Sequence, residues 1–527
     1  MLRPASVIAV LCAFAMASVV SAEPLHREID RLIAARAGDV PAARPADDAE
    51  FLRRIYLDLA GRIPSVQEAR AFLDDESTDK RAQLIDRLLA SPDYPRRMQE
   101  QFHVMLMERL GDHPEWQKYL RESFAANKPW DQLAREILGG GLQDGQPKGA
   151  AFFYAKRLEN YGQNPVDYPG LTRDVGRLFL GMDLACAQCH NHLFIKSYKQ
   201  ADFQGLHAFF QNTFLAGGLN IGEKPTTQKL GFQSVFKKEP LETAPRVPGL
   251  PELELPAIEK GKEFIKAPDP KTKAPGVLRF SPLAKLAEQL PTAENAAFSK
   301  NIVNRLWWVM LGRGLVHPLD LHHADNPASH PELLDLLAKE FVEHKYDIQW
   351  LLRELALSQT YQRSSVLPNA AEPPSPALFL VAHEKRVSAE QLLHSMLEAT
   401  GERANVKEGT ALDQLQLKFL RAFANPRREP EDTFNPSLKA ALFVLNDDTV
   451  LGWLNPKSGN LAQRLADLQD ADKLAEELYL SVLARRPTGL EKQEVAAYLM
   501  KKGDQREQAI KHLAWALLAS TEFSVNH

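Results

Sequence analysis

Two thiols and an imidazole stand together at Cys186-Ala187-Gln188-Cys189-His190, and Asn191-His192 follow directly. Two intervening residues bring both sulfurs onto one turn, with the histidine beside the second. That spacing suits covalent haem attachment, in which each thiol adds to a vinyl group as a thioether and the adjacent histidine ligates the iron. Cys186, Cys189 and His190 are thereby the expected anchors of one haem c, with His190 as proximal iron ligand. The chain has only three cysteines, and the third, Cys12, lies in a segment expected to be removed. Two other chemistries are open to the same residues. A Cys186–Cys189 disulfide would make a redox or structural staple. Cys186, Cys189, His190 and His192 could hold zinc, although four ligands this close in sequence would strain a tetrahedral site.

A sixth iron ligand is not fixed by spacing. His192 is too close to His190 to reach the opposite haem face. His207 could return on a following helix, Phe203 to Phe210, and Met182 precedes the motif. His317, His322 and His323 lie in a second polar cluster, Leu315 to Asn326, and could cap a haem from the C-terminal part. Without a sixth protein ligand the iron keeps an open position, which favours small-molecule chemistry over electron transfer alone. With Asp320 and Asp325, the same cluster could instead bind a divalent metal beside His190 and His192, as in a metal-dependent hydrolase. The plainer expectation for this loop is that Asp325 and Asn326 cap backbone amides ahead of a helix at Pro331. Trp307 and Trp308 sit on an apolar helix and read as core. No G-x-S-x-G, phosphate-binding glycine loop or H-E-x-x-H occurs.

The elements that must position these residues read as helices. Phe51, Leu52, Ile55, Leu57 and Leu59 give Asp48 to Ala60 a broad apolar face. Gly61 and Pro64 stop that run, and Ser65 with Glu68 spells a capping box for the next helix. Further helical runs are Trp130 to Leu138, Ser299 to Leu311, Pro331 to His344 and Ser388 to Thr400. Ten prolines between Pro225 and Pro282 forbid long helices and central strands there. The fold class is therefore all-α, with a proline-rich irregular or partly β insert. Its parts are a signal peptide (1–22), an N-terminal helical domain with the CxxCH segment (23–215), a proline- and lysine-rich insert or linker (216–282) and a C-terminal helical domain (283–527). Tyr56, Leu57, Arg62, Pro64, Ser65 and Glu68 recur at a constant offset as Tyr479, Leu480, Arg485, Pro487, Thr488 and Glu491. Because each has a capping or core role, the repeat reads as a duplicated packing unit.

Met1 to Ala22 has an early cation, an apolar run and Val20-Ser21-Ala22 before Glu23, the pattern of an export signal cleaved after Ala22. The mature protein is then periplasmic or secreted, where covalent haem attachment takes place. Over 527 residues, 44% are hydrophobic, 25% are charged and the net charge is −4. That composition excludes a disordered chain, a fibre and a multi-span membrane protein, and leaves no basic field for nucleic acid. No transmembrane span is expected after signal removal.

Phe51 to Pro64, Cys186 to His192, Ala208-Phe209-Phe210, Asn304 to Trp307, Gly312 to Val316, His330 to Asp335 and Ser358 to Tyr361 together resemble the planctomycete cytochrome-associated family of exported two-part proteins with domains of unknown function. The resemblance implies export and a cytochrome-like segment and supplies no substrate. Relatives often carry a further N-terminal cytochrome-type domain; here Cys186-Cys189-His190 is expected to be the one haem site. The family usually has proline where Leu193 stands, tryptophan near Tyr198, and two acidic residues in a shorter loop where Leu321-His322-His323 stands. The expected function is electron transfer or haem-linked redox chemistry outside the cytoplasm, with a redox partner protein or an extracytoplasmic substrate. A non-catalytic scaffold with a Cys186–Cys189 disulfide and no cofactor, or a divalent-metal hydrolase, are the alternatives.

Overall fold

A computed structural model describes residues 23–527 apart from 143–144, 161, 238, 273, 368–371, 407–408, 430–442 and 444–445; the expected signal peptide, with Cys12, lies outside them. Helices make up 53% of the structure, and the strands form only two-stranded pairs. The fold is mainly helical, as the hydrophobic spacing predicts.

Helix boundaries follow local chemistry. The Asp47 side chain accepts from the Glu50 amide and opens Asp48–Ala60, which Gly61 closes at φ +66°. Ser65 and Glu68 form the predicted reciprocal box at the head of Val66–Leu73. Asn295 caps Ala296–Leu311, three residues ahead of the predicted start, because its side chain accepts from the Phe298 amide. The helix Asp48–Ala60 is buried all round from Phe51 onward, including Arg53, Arg54 and Asp58. These polar groups meet distant backbone. Arg53 donates to the carbonyl of Phe523 (2.7 Å), and Arg54 to those of Tyr361 (2.6 Å) and Arg363 (2.8 Å). Asp58 accepts from the Tyr361 hydroxyl (2.8 Å), Lys385 Nζ (2.6 Å) and Asn526 Nδ2 (2.8 Å).

Apolar burial forms two cores. The larger draws on helices between Leu25 and Phe210 and between Leu283 and Leu380; the smaller runs from Val387 to Phe523. The repeated units tie them together. Leu57 of the first copy belongs to the smaller core, and its equivalent Leu480 belongs to the larger. Local geometry is also duplicated. Arg62 forks onto Glu68 (2.8 and 3.0 Å), reaches Asp93 (2.8 Å) and covers the Tyr56 ring. Arg485 forks onto Glu491 (2.9 and 2.7 Å), reaches Glu522 (2.6 Å) and covers Tyr479. Every repeated residue so engaged is capping or packing, so the duplication serves architecture.

One antiparallel hairpin, Thr213–Gly217 with Asn220–Glu223, leads into the proline-rich stretch, which holds two more strand pairs, Leu230–Gln233 with Pro240–Thr243 and Phe264–Lys266 with Val277–Leu278. Pro240 stands first in its strand, where a missing N–H is tolerated. Glu223 pins the first hairpin to the helix Pro282–Gln289 by accepting from the Leu283 amide (3.0 Å) and the Ser281 hydroxyl. Burial pushes the Glu223 carboxyl up to about 7.

Two expectations follow. Asp58→Asn leaves Lys385 buried without its charge partner and should cost about 3 kcal/mol in urea unfolding; a loss under about 1 kcal/mol contradicts that role. For Glu223, the native carboxyl holds a proton that the unfolded chain releases above its ordinary value. Its contribution is intact below that value and lost as pH rises through about 7. Glu223→Gln should therefore flatten the fall in stability between pH 5 and 8, by up to ~3 kcal/mol; unchanged slopes in melting experiments would count against it.

Candidate functional site

The Cys186–His190 segment is held by elements from both ends of the larger core. The helix Tyr168–Leu180 starts at Asp167, whose side chain accepts from the Gly170 amide, and ends at Gly181 with φ +67°. The chain then runs beside the loop that carries His322. The His322 amide donates to the Gly181 carbonyl (3.0 Å), and the Asp183 amide donates to the Asp320 carbonyl (2.9 Å). A Cβ at Gly181 would stand 2.6 Å from His322 Cδ2, so this approach requires glycine for space as well as for conformation. Asp183 Oδ1 next accepts from the Ala185 amide and starts the single turn Cys186–Gln188.

That turn buries Ala187 and exposes both cysteines as free thiols. Its backbone is clamped from two sides. The Gln188 carbonyl accepts from Gln204 Nε2 (2.9 Å), and the Gln188 side chain accepts from Arg173 (2.6 Å). The Cys189 carbonyl accepts from the Val235 amide (3.1 Å), which draws the insert against the motif. His190 Nδ1–H donates to the Asn191 carbonyl (2.6 Å), which leaves the lone pair on Nε2, the state a metal-ligating imidazole needs. The Phe236 ring lies 4.8 Å from the His190 ring, centroid to centroid. Phe236, Val235, Leu193 and Phe194 are all more than half exposed, so bare apolar side chains stand on the insert beside Cys189 and His190 and on the turn that follows His192.

Several of the other predicted candidates have structural partners. His192 Nδ1 accepts from the amides of Phe194 (3.2 Å) and Ile195 (2.9 Å) and so shapes its own turn. His207 bonds Thr172 Oγ1 (3.0 Å) and stacks on Phe203. His322 is held by burial, and by the nearby Arg305 charge, at a pKa of about 4, and its Nε2 accepts from Asn304. Met182 pairs with Leu321 in an isolated bridge. The structure does bring the His322-His323 loop to the cysteine loop. Tyr198 donates its hydroxyl to the His322 carbonyl (3.1 Å), and its ring sits 5.6 Å from that of His323. Among the described residues, however, no three His, Cys, Asp or Glu side chains gather to hold a metal ion. Asp320, offered as a hydrolase ligand, is engaged by Arg177 (3.1 Å) and Arg305.

In the loop ahead of the Pro331–Glu343 helix, Asn326 Nδ2 donates to the Leu321 carbonyl (2.9 Å), and His330 occupies the cap position of the helix itself. Trp307 is core as expected, but Trp308 is half-buried at the edge of a cleft. Phe194, Val235 and Phe236 were not singled out from sequence. Their only signal is that they are bulky apolar residues in glycine-, proline- or lysine-rich surroundings.

Residues 28–214 match the family model PSCyt2, described as a protein of unknown function (DUF1549), and residues 284–438 match PSD1, a protein of unknown function (DUF1553). The cysteine motif falls inside the first match, and the whole proline-rich stretch, Pro225 to Pro282, falls between the two. No curated protein and no solved structure matches the chain.

Gly181→Ala should destabilise the protein by about 2 kcal/mol or more, because it adds a clash with His322 to the backbone penalty. Gly162→Ala, with a similar φ of +62° and nothing within 4 Å of the new Cβ, isolates the backbone part. Equal losses in denaturant melts would mean that the contact with the His322 loop is slack.

Proposed function

We propose, for a chain that carries one PSCyt2 and one PSD1 domain of the planctomycete-type cytochrome-associated families, that it is an exported c-type haem protein. Cys186 and Cys189 supply the two thioether sulfurs, and His190 supplies the proximal nitrogen. One observation carries the reading: two exposed thiols on a single turn stand beside an imidazole whose Nδ1–H is already bonded to the Asn191 carbonyl. The exposed rings of Phe236 and Phe194 with Val235 and Leu193 suit the apolar body of a porphyrin.

The bound group would supply one-electron chemistry, and this chain's residues would tune it. The Asn191 carbonyl fixes the His190 tautomer and raises its basicity as a ligand. Gln200, Gln204 and Arg173 hold the turn so that the sulfurs keep their spacing. The reaction class is electron transfer, or haem-linked oxidation of an extracytoplasmic substrate, after export through the segment ending at Ala22. Among the described residues no helix is long and apolar enough to cross a membrane.

Protein made with haem-maturation machinery should keep a Soret band through denaturing extraction and give one haem per chain in a pyridine haemochrome assay. Cys186→Ser with Cys189→Ser should abolish retention, and His190→Ala should leave a covalent haem with an altered spectrum. A colourless wild-type protein from those cells, with the two thiols oxidised to each other, overturns the proposal.

A further inference from the structure

We propose that a cleft between the two helical parts is a binding site for a small organic acid, with Arg97 as the residue that takes its carboxylate. The cleft encloses about 290 Å³ and is lined from both parts of the chain. Its lining carries the buried acids Asp58, Glu100 and Glu390, with Glu108, Asp320, Glu384 and Glu429 nearer solvent, among six cations. The three buried acids are already matched. Asp58 takes Lys385 (2.6 Å), Glu100 takes Arg96 (3.1 Å) and His394 (3.0 Å), and Glu390 takes the fork of Arg109.

No carboxylate among the described residues is hydrogen-bonded to Arg97, although Glu100, Asp58 and Glu390 favour its charge. Arg97 stands on the helix Asp93–Met107, is 6% exposed, and its stem lies on Gly61, where a Cβ would come within 2.8 Å of Cδ. Its hydrogen bond among the described residues is long, from Nε to the Asp58 carbonyl at 3.4 Å. The two terminal nitrogens of a guanidinium form a planar fork that matches the two oxygens of a carboxylate. Glu100, Asp58 and Glu390 favour the Arg97 charge from nearby but do not bond its fork, so a carboxylate that takes both terminal nitrogens would complete its hydrogen bonding.

The rest of the cleft describes the ligand's body. Trp308, Val104, Met105, Pro318 and Leu319 add an apolar wall to the same cleft. A phosphate or sulfate ion could meet the Arg97 fork but would leave that wall uncovered. A carboxylate on a compact apolar or aromatic frame uses both. Binding here does not depend on haem: Asp320 reaches the cleft with its side chain while its carbonyl holds Asp183, but the anion is recognised at Arg97.

The test uses the purified full chain and isothermal titration with benzoate, its neutral isostere benzamide, and inorganic phosphate. Benzoate should bind saturably at one site per chain, at least ten times more tightly than benzamide or phosphate. Arg97→Gln should weaken benzoate at least tenfold, with Arg97→Lys between it and wild type. Trp308→Leu, which leaves the charged lining intact, should weaken benzoate but not the residual phosphate signal. No saturable benzoate binding, benzoate binding unchanged in Arg97→Gln or Trp308→Leu, or phosphate binding as tight as benzoate overturns the proposal.

Discussion

The buried carboxylate of Asp58 sits where four distant stretches of chain converge. It lies near the end of a helix that is enclosed on every side, and in that setting it must be fully surrounded by donors. The Tyr361 hydroxyl, Lys385 and Asn526 supply them, and Lys385 also donates to the carbonyls of Val309 and Met310 at the end of the helix Ala296–Leu311. One charge therefore couples the helix Asp48–Ala60, the Trp307-bearing helix, the short strand at Lys385–Arg386 and the residues around Asn526. That strand pairs with Val525–Asn526, which holds Asn526 beside Asp58.

The duplicated units add to the same closure. Each carries an arginine forked onto its own capping-box glutamate, with a tyrosine beneath the guanidinium. Their equivalent leucines cross over, Leu57 into the smaller core and Leu480 into the larger. The copies differ where the cleft begins. The turn after the first helix needs Gly61, because Arg97 lies against it; the second copy uses Ala484 in the same left-handed conformation, at φ +58°. The duplication thus supplies a matched frame, and the asymmetric insertion of Arg97 beside the first copy makes one side of it different.

The cysteine motif is local, but its surroundings are not. Helix Tyr168–Leu180 and helix Gln200–His207 hold the turn, the proline-rich insert delivers Phe236, and the His322 loop closes behind Gly181. The first of those helices starts with Tyr168-Pro169-Gly170, which looks like a turn in sequence. It is a helix start because Asp167 caps it and proline is tolerated in the first turn, where its missing N–H has no intrahelical partner. The insert's prolines excluded helix, as read, yet only the hairpin pairing shows which of its residues reach Cys189.

From the chain alone came the helical class, the capping boxes at Ser65 and Thr488, the duplicated unit and the Cys-x-x-Cys-His turn. All of these are set by contacts within a few residues, where spacing and side-chain type suffice. Tertiary structure decided the rest. It spent His192, His207 and His322 on backbone and neighbouring side chains, placed Phe236 beside His190, matched Asp58 with Lys385 and set Arg97 among carboxylates that do not bond it directly. The Asp58–Lys385 match joins residues 327 positions apart, and which buried groups meet at such separations is recorded by no local pattern.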